Sequence, residues 1–396
     1  MRIDTQNNKR GLIIVILVCL GVFAPAYAQF QFTVLGSRFI ESTDISPTQF
    51  SSIITAPLIP GMFLSLISGL LVDRFGAKRV LLFSILVTAA GACIRIWAGS
   101  YFSMFIGMML IGVHATFLNT NAAKIFGYWF EPKKVGMLMG VFIAFVNGAM
   151  ALGMGTGALF ADMKTAFIVS TAVIFVLALL WLFFAKDKKT SEGRLTQSAP
   201  MMECLKASLK SRNVWITGIA IMLVSTGAAV MSMFLPTALV KVRGFKETTA
   251  GAVAMAIMLG SAFSCFVTPL IDAKIKNTKL LMFVYGLLGA IGVSFAWRAP
   301  QGVLIFAALF MTGFVTTGLT PVLASIPIQL KEIGPIYAGT AGGVVGTIQL
   351  FGTVVIPTYI LSPIVGADYR LLFYLFGIIL VIFAFFSQLL PKIPHR

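Results

Sequence analysis

Residues 11–35 read GLIIVILVCLGVFAPAYAQFQFTVL, without one charged side chain. A helix of about 20 such residues crosses the hydrocarbon core of a bilayer. Similar runs, bounded by charges, proline or glycine, recur at 47–71, 80–99, 102–123, 135–160, 165–185, 213–240, 248–271, 280–297, 302–328, 336–361 and 370–390. Of 396 residues, 58% are hydrophobic and 11% charged, with a mean hydropathy of +0.96. A soluble core, in a protein with roughly a quarter of its residues charged, has no place for so much apolar surface. Lipid demands that backbone polar groups be satisfied inside the protein, and continuous runs of this length select helices over barrels. The expectation is an all-α membrane protein of twelve transmembrane helices.

Placing both termini in the cytoplasm puts 22 of the 30 lysines and arginines on cytoplasmic segments and 8 outside, the asymmetry that orients helical membrane proteins. The formal charge of +17 therefore reads as topology and contact with the lipid bilayer, not nucleic-acid binding. The one long polar segment, 186–212, contains KDKKTSEGRLTQS and divides the chain into six-span halves at 1–185 and 213–396. The N-terminus, MRIDTQNNKR followed by an apolar run and Ala26-Tyr27-Ala28, looks like a secretory signal with its cleavage site. Retention is expected, because 11–35 is long enough to span and the six-plus-six division requires it.

Internal similarity supports two related units. Leu70-Leu71-Val72-Asp73 after span two recurs as Leu270-Ile271-Asp272 after span eight, and Gly112 in span four falls opposite Gly313 in span ten. The cysteines, Cys19, Cys93, Cys204 and Cys265, show no paired spacing, and His114 and His395 make no ligand cluster by themselves. No disulfide framework, metal or cofactor is expected.

The loop after span two reads Gly69-Leu70-Leu71-Val72-Asp73-Arg74-Phe75-Gly76-Ala77-Lys78-Arg79. It resembles the signature loop of the major facilitator superfamily, G-x-L-x-D-R-x-G-x-[RK]-[RK], at the position where that family carries it. Gly69 would let a neighbouring helix approach, Gly76 would permit a tight turn, and Asp73 would accept hydrogen bonds from a facing helix N-terminus. The resemblance implies that Gly69, Asp73, Arg74, Gly76, Lys78 and Arg79 gate conformational change against span eleven; Lys124, at the cytoplasmic end of span four, is the candidate charge partner of Asp73. Trp129-Phe130-Glu131-Pro132-Lys133-Lys134 resembles the loop the family often carries before span five. It also implies two pseudo-symmetric halves rocking about a central site, a monomer, and a bacterial inner-membrane location. Two departures weaken a proton-driven drug-exporter reading: Phe105 to Gly112 lacks a basic residue, and the glycines from Gly148 to Gly157 lack the accompanying proline.

Transporters built from such repeats bind substrate near the bilayer midplane. The thirteen acidic residues fall in tails, loops or span ends, which argues against recognising a cation by charge pairing. His114 lies near the centre of span four, with Asn121 on the same helical face at i+7. Asn147 is central in span five, Gln349 in span eleven, Thr316 lies just past the centre of span ten, and Tyr27 and Gln31 form an i, i+4 pair in span one. These seven are the candidate substrate-binding residues; hydrogen bonding between helices is the competing account of each. Glycines in span five (Gly136, Gly140, Gly153, Gly157) and span eleven (Gly339, Gly342, Gly343, Gly346) have the spacing of close helix packing. Arg38, Arg95, Lys241, Arg243, Lys246 and Arg298 are placed outside, either as interfacial anchors or as a vestibule attractive to anions.

The expected function is transport of a small organic solute, anionic or neutral and polar, by rocker-switch alternating access. The segments Gly91-Ala92-Cys93-Ile94-Arg95 and Trp129-Phe130 also resemble the haem and choline carriers of the superfamily, without naming a substrate. The rivals are a proton-driven multidrug exporter of the same fold and a membrane enzyme or sensor. An enzyme lacks a nucleophile–base set here, and a sensor lacks a polar segment long enough to fold as a signalling domain.

Overall fold

A computed structural model describes residues 5–186, 201–330 and 333–391. Every regular element among the described residues is helical. The chain divides into two compact units, Met1–Ile45 with Ser52–Gly193, and Ser46–Ser51 with Arg194–Arg396.

The first unit holds α1 (Thr5–Thr43), α2 (Pro47–Thr55), α3 (Ile59–Phe75), α4 (Ala77–Ile96), α5 (Tyr101–Trp129), α6 (Pro132–Gly157) and α7 (Met163–Phe184), apart from the start of α2, which groups with the second. The second unit holds α8 (Met201–Lys210), α9 (Arg212–Arg243), α10 (Glu247–Ile275), α11 (Thr278–Phe295), α12 (Val303–Thr317), α13 (Leu319–Gln329), α14 (Gly334–Val355), α15 (Ser362–Val365) and α16 (Tyr369–Phe386). Helix starts are set by short polar side chains that take up otherwise unpaired backbone N–H groups. Ser100 and Ser103 form a reciprocal capping box on α5, and Asp162, Ser211 and Asn277 accept from the backbone of α7, α9 and α11. Gly76, with φ of 86°, ends α3 and starts α4, so the tight turn expected in the signature loop is made where only glycine is comfortable.

Eleven stretches of helix among the described residues are long and apolar enough to cross a membrane. The twelfth expected span, 47–71, is interrupted: α2 ends at Thr55, a 3-10 turn follows at Ala56–Leu58, and α3 starts at Ile59. Pro57 and Pro60 lack the N–H groups a continuous helix would need there. Spans ten and eleven are broken as well. At Gly318, between α12 and α13, the Ser264 hydroxyl donates to the carbonyl of Phe314. After α14 the chain widens into a π-helical stretch, Ile356–Leu361, containing Pro357. The segment 186–212, expected as a polar linker throughout, carries the short helix α8, packed on α14, and α9 already starts at Arg212.

The repeat foreseen in the sequence is a repeat of packing. In the first unit α4 packs on α5 and α7, α5 on α1 and α3, and α1 on α6 and α7. In the second α11 packs on α12 and α16, α12 on α9 and α10, and α9 on α14 and α16. Each of these partnerships in one unit thus has its counterpart in the other.

Candidate functional site

Tyr27 and Gln31 lie one turn apart on α1, where two glycines of α6 let the helices close on each other. A Cβ built on Gly153 would stand 2.7 Å from the Tyr27 carbonyl oxygen, and one on Gly157 would stand 2.9 Å from that of Gln31. This is the small-residue packing expected in span five, but it uses only part of that glycine series: a Cβ on Gly136 would meet nothing within 4 Å, nor would one on Gly342 or Gly346 of α14. The contact brings Thr156 of α6 to the phenol of Tyr27. Gln31 Nε2 lies 3.5 Å from Tyr27 Oη, Tyr27 Oη lies 3.0 Å from Thr156 Oγ1, and Thr156 Oγ1 donates to the Leu152 carbonyl at 2.6 Å. With that bond made, the Tyr27 hydroxyl donates to Thr156 and accepts from Gln31. Gln31 is fully buried, yet its Oε1 has no hydrogen-bond partner. Thr156, absent from the sequence-derived set, completes this patch.

The other candidates are dispersed. His114 is fully buried, with Nδ1 2.7 Å from Ser84 Oγ on α4, its ring edge-on to Trp181 of α7 at 6.4 Å, and Gly21 of α1 beside its unpartnered Nε2. Asn121, seven residues on, reaches Ser68 of α3 at 3.2 Å and the Phe117 carbonyl at 2.9 Å. Asn147 donates to Ile143 of its own helix at 3.1 Å. In the second unit Gln349 Nε2 donates to Ser225 Oγ of α9 at 2.9 Å. Thr316 donates to the Thr312 carbonyl at 2.7 Å and lies against Gly289 of α11.

Within the signature loop, Arg74 is exposed, with its guanidinium 5.3 Å from the Phe75 ring centroid, and Arg79 is exposed. Lys78 and Lys124 are half-buried, and the Lys78 carbonyl accepts from Trp181 Nε1 at 3.1 Å. The side chain of Asp73 lies outside the described residues. A Cβ on Gly69 would meet nothing within 4 Å, so the close helix approach expected there is not made.

The structure corrects the sequence reading most sharply at Arg95. Placed in the outer vestibule by its position at the end of span three, it is fully buried. Its Nη1 donates to the Ala28 carbonyl of α1 and its Nη2 to Ser170 Oγ of α7, both at 2.6 Å, and its Cζ lies 4.3 Å from the Phe167 ring centroid. Its alkyl stem and guanidinium span from α4 inward, a direction that position along the chain does not encode. Other basic residues expected outside, as anchors or as a vestibule, fasten the segments between helices. Arg38 donates to the Phe160 and Ala161 carbonyls, Arg243 to those of Trp297 and Ala299, and Arg298 lies over the Tyr374 ring at 4.7 Å.

A cavity of about 320 Å³ between α11 and α12 is lined by Leu288, Ile291, Phe295, Met311, Thr312 and their apolar neighbours. It contains none of the seven candidates.

Comparison with known proteins agrees with this architecture. The chain is 24% identical over 366 residues to the probable sulfoacetate transporter of Cupriavidus necator, covering 86% of this chain and 84% of that one. It is 23% identical to the probable nitrate/nitrite antiporter of Thermus thermophilus, covering 83% and 80%. It is also 22% identical to a choline/ethanolamine transporter of Felis catus, covering 88% and 67%. Its fold matches the crystal structure of a bacterial homologue of the human lysosomal transporter Spinster, in an inward-facing, unoccupied conformation, with a TM-score of 0.76, 12% identity and 96% of both chains covered. The Major Facilitator Superfamily model matches residues 11–357. With that match across most of its length, the chain belongs to the Major Facilitator Superfamily and is an integral membrane solute transporter, not an enzyme.

Proposed function

We propose that this transporter carries a small organic anion, of the carboxylate or sulfonate class, by rocker-switch alternating access. One observation carries the reading: among the described residues the buried charged or ionisable polar side chains include Arg95 and His114 but no aspartate or glutamate. Among the described residues the fully buried charge is thus basic, which favours an anion over a cation. The sulfoacetate and nitrate/nitrite relatives point the same way. In this reading Tyr27, Gln31 and Thr156 meet the solute within the first unit, and the second unit carries a polar pair of its own in Gln349 and Ser225. His114, Asn121 and Thr316 serve by holding helices together, and Asn147 lends a polar edge to α6. The signature-loop residues act in the conformational change. The basic excess on one side supports a plasma-membrane protein with both termini cytoplasmic. The choline relative and the drug-exporter alternative share the fold, but among the described residues no fully buried carboxylate favours a cation.

The test is a thermal-shift series on the purified protein with sulfoacetate, nitrate and choline, followed by uptake into proteoliposomes. A ligand that binds the folded state raises the melting temperature, the more so the further its concentration exceeds Kd. Stabilisation and uptake with an anion are expected; stabilisation by choline alone would sink the proposal.

A further inference from the structure

Arg95 holds a full positive charge among neutral partners. Besides the Ala28 carbonyl, Ser170 Oγ and the Phe167 ring, its Nη1 lies 3.8 Å from Met108 Sδ, and its Nε has no partner. No ion pair reaches it, and among the described residues no aspartate or glutamate is fully buried; Asp272, whose Oδ1 is buried, lies near the end of α10 in the second unit. A charge enclosed in this way is costly to keep unless something offsets it. Holding α1, α4 and α7 together does not require it, since a neutral amide could bond Ala28 and Ser170 as well.

The uncancelled charge is applied at one place. Arg95 grips the carbonyl of Ala28, and the residue before Ala28 is Tyr27, whose hydroxyl is the centre of the Tyr27–Gln31–Thr156 patch. In that patch the Gln31 amide has one end bonded and the other buried without a partner. Rotated by half a turn, the amide would present Nε2 as a donor to an anion and accept through Oε1 from Tyr27, whose single proton would leave Thr156 while the Thr156 hydroxyl turns from the Leu152 carbonyl to donate to Tyr27.

We propose that Arg95 is the charge selector of this carrier: its uncompensated guanidinium, acting through α1 without touching the solute, makes the Tyr27–Gln31–Thr156 patch take a small carboxylate or sulfonate in preference to a neutral ligand. The bound anion is then the counter-charge the bundle lacks. The inference rests on the anion reading given above, and names the residue that imposes it.

The decisive variant supplies the missing counter-charge without removing Arg95. Ser170→Asp places a carboxylate where Nη2 already has its acceptor, and Ser170→Asn is the neutral control. Binding of sulfoacetate, nitrate and methylsulfonylacetamide, a neutral sulfonyl analogue, is measured by titration calorimetry on the full chain at fixed ionic strength. Ser170→Asp is expected to weaken anion binding roughly tenfold or more, the size of one unit charge acting over about 10 Å at an effective dielectric constant near 20. It should fold at least as well as Ser170→Asn and leave the response to the neutral analogue unchanged, while Ser170→Asn keeps the anion preference. Should Ser170→Asp not fold, Arg95→Lys and Arg95→Gln decide, with Lys expected to retain more of the preference than Gln. Equal anion loss in Ser170→Asp and Ser170→Asn, or equal loss in Arg95→Lys and Arg95→Gln, overturns the selector role. So does a Ser170→Asp protein that binds anions like the wild type. A wild type that binds neither anion overturns the anion reading itself, and the selector role with it.

Discussion

Gly112 of α5 lies so close to Pro57 that a Cβ on it would collide with the Pro57 backbone, carbonyl oxygen first. The same relationship recurs in the second unit between Gly313 of α12 and the backbone of Ile257 on α10. Gly313 lies 201 residues beyond Gly112, and Ile257 lies 200 beyond Pro57. Each pair sets how near the helix through the middle of its unit comes to the one beside it, and backbone cannot swing aside as a side chain can. Gly112→Ala and Gly313→Ala should each destabilise the protein by about 1–3 kcal/mol, the usual cost of overpacking. Gly136→Ala, where a Cβ meets nothing within 4 Å, should leave the melting temperature unchanged or raised. Intrinsic-fluorescence melting in detergent distinguishes these outcomes.

The crossing of α1 and α6 supports the polar patch as well as the fold. Gly153→Val pushes α6 off the Tyr27 carbonyl and takes Thr156 away from the phenol. Transport is therefore expected to fall at least as steeply as stability, with proteoliposome uptake and melting temperature measured on the same preparation. Full uptake in a folded Gly153→Val protein would show that the Tyr27–Thr156 contact has no part in transport.

Residues that face solute and residues that hold helices should separate in kinetics. Gln31→Leu and Tyr27→Phe are expected to raise KM for the transported anion several-fold with little change in melting temperature, since a polar contact between membrane helices is worth only about 0.6 kcal/mol. His114→Gln, altering a ring enclosed by Ser84, Trp181 and Gly21, should lower the melting temperature and leave KM within about twofold. The reverse pattern in uptake assays would move the site to α5.

Asp162 caps α7 through Thr165, accepting from its backbone N–H at 2.7 Å and its hydroxyl at 2.8 Å. These bonds, the backbone one foremost, hold the carboxyl below its ordinary range. A group depressed in the folded state contributes stability above its unfolded pKa and loses it as pH falls through the folded value. Protection of the amides in the first turn of α7, measured against their intrinsic exchange rates, should therefore be high at neutral pH and fall below about pH 4, near the ordinary aspartate range. In Asp162→Ala protection should already be low at pH 7 and show no such added loss; an acid-induced loss like that of the wild type would contradict the cap.

Much of this protein is legible along the chain because lipid imposes a simple rule. A run too long and too apolar for water becomes a helix, and the turn at Gly76 follows from the signature loop. The break inside span two was less legible, although Pro57 and Pro60 marked the spot, because hydropathy averages over a window and registers no missing N–H. Thr156 escaped notice for a different reason. A threonine in an apolar helix is common, and only the approach of Tyr27 across Gly153 and Gly157 turns it into part of a polar patch.

Linear order thus established the helical class and the two-fold repeat, since each depends on local composition and on spacings that one strand of text records. Which side chains meet was settled by the packing of helices far apart in sequence. Arg95 shows the difference: its position at a span end suggests a water-facing cation, and only the arrival of Ala28 from α1 and Ser170 from α7 turns it into a buried one. A helix's own periodicity says which residues share a face, but not which other helix will cover that face.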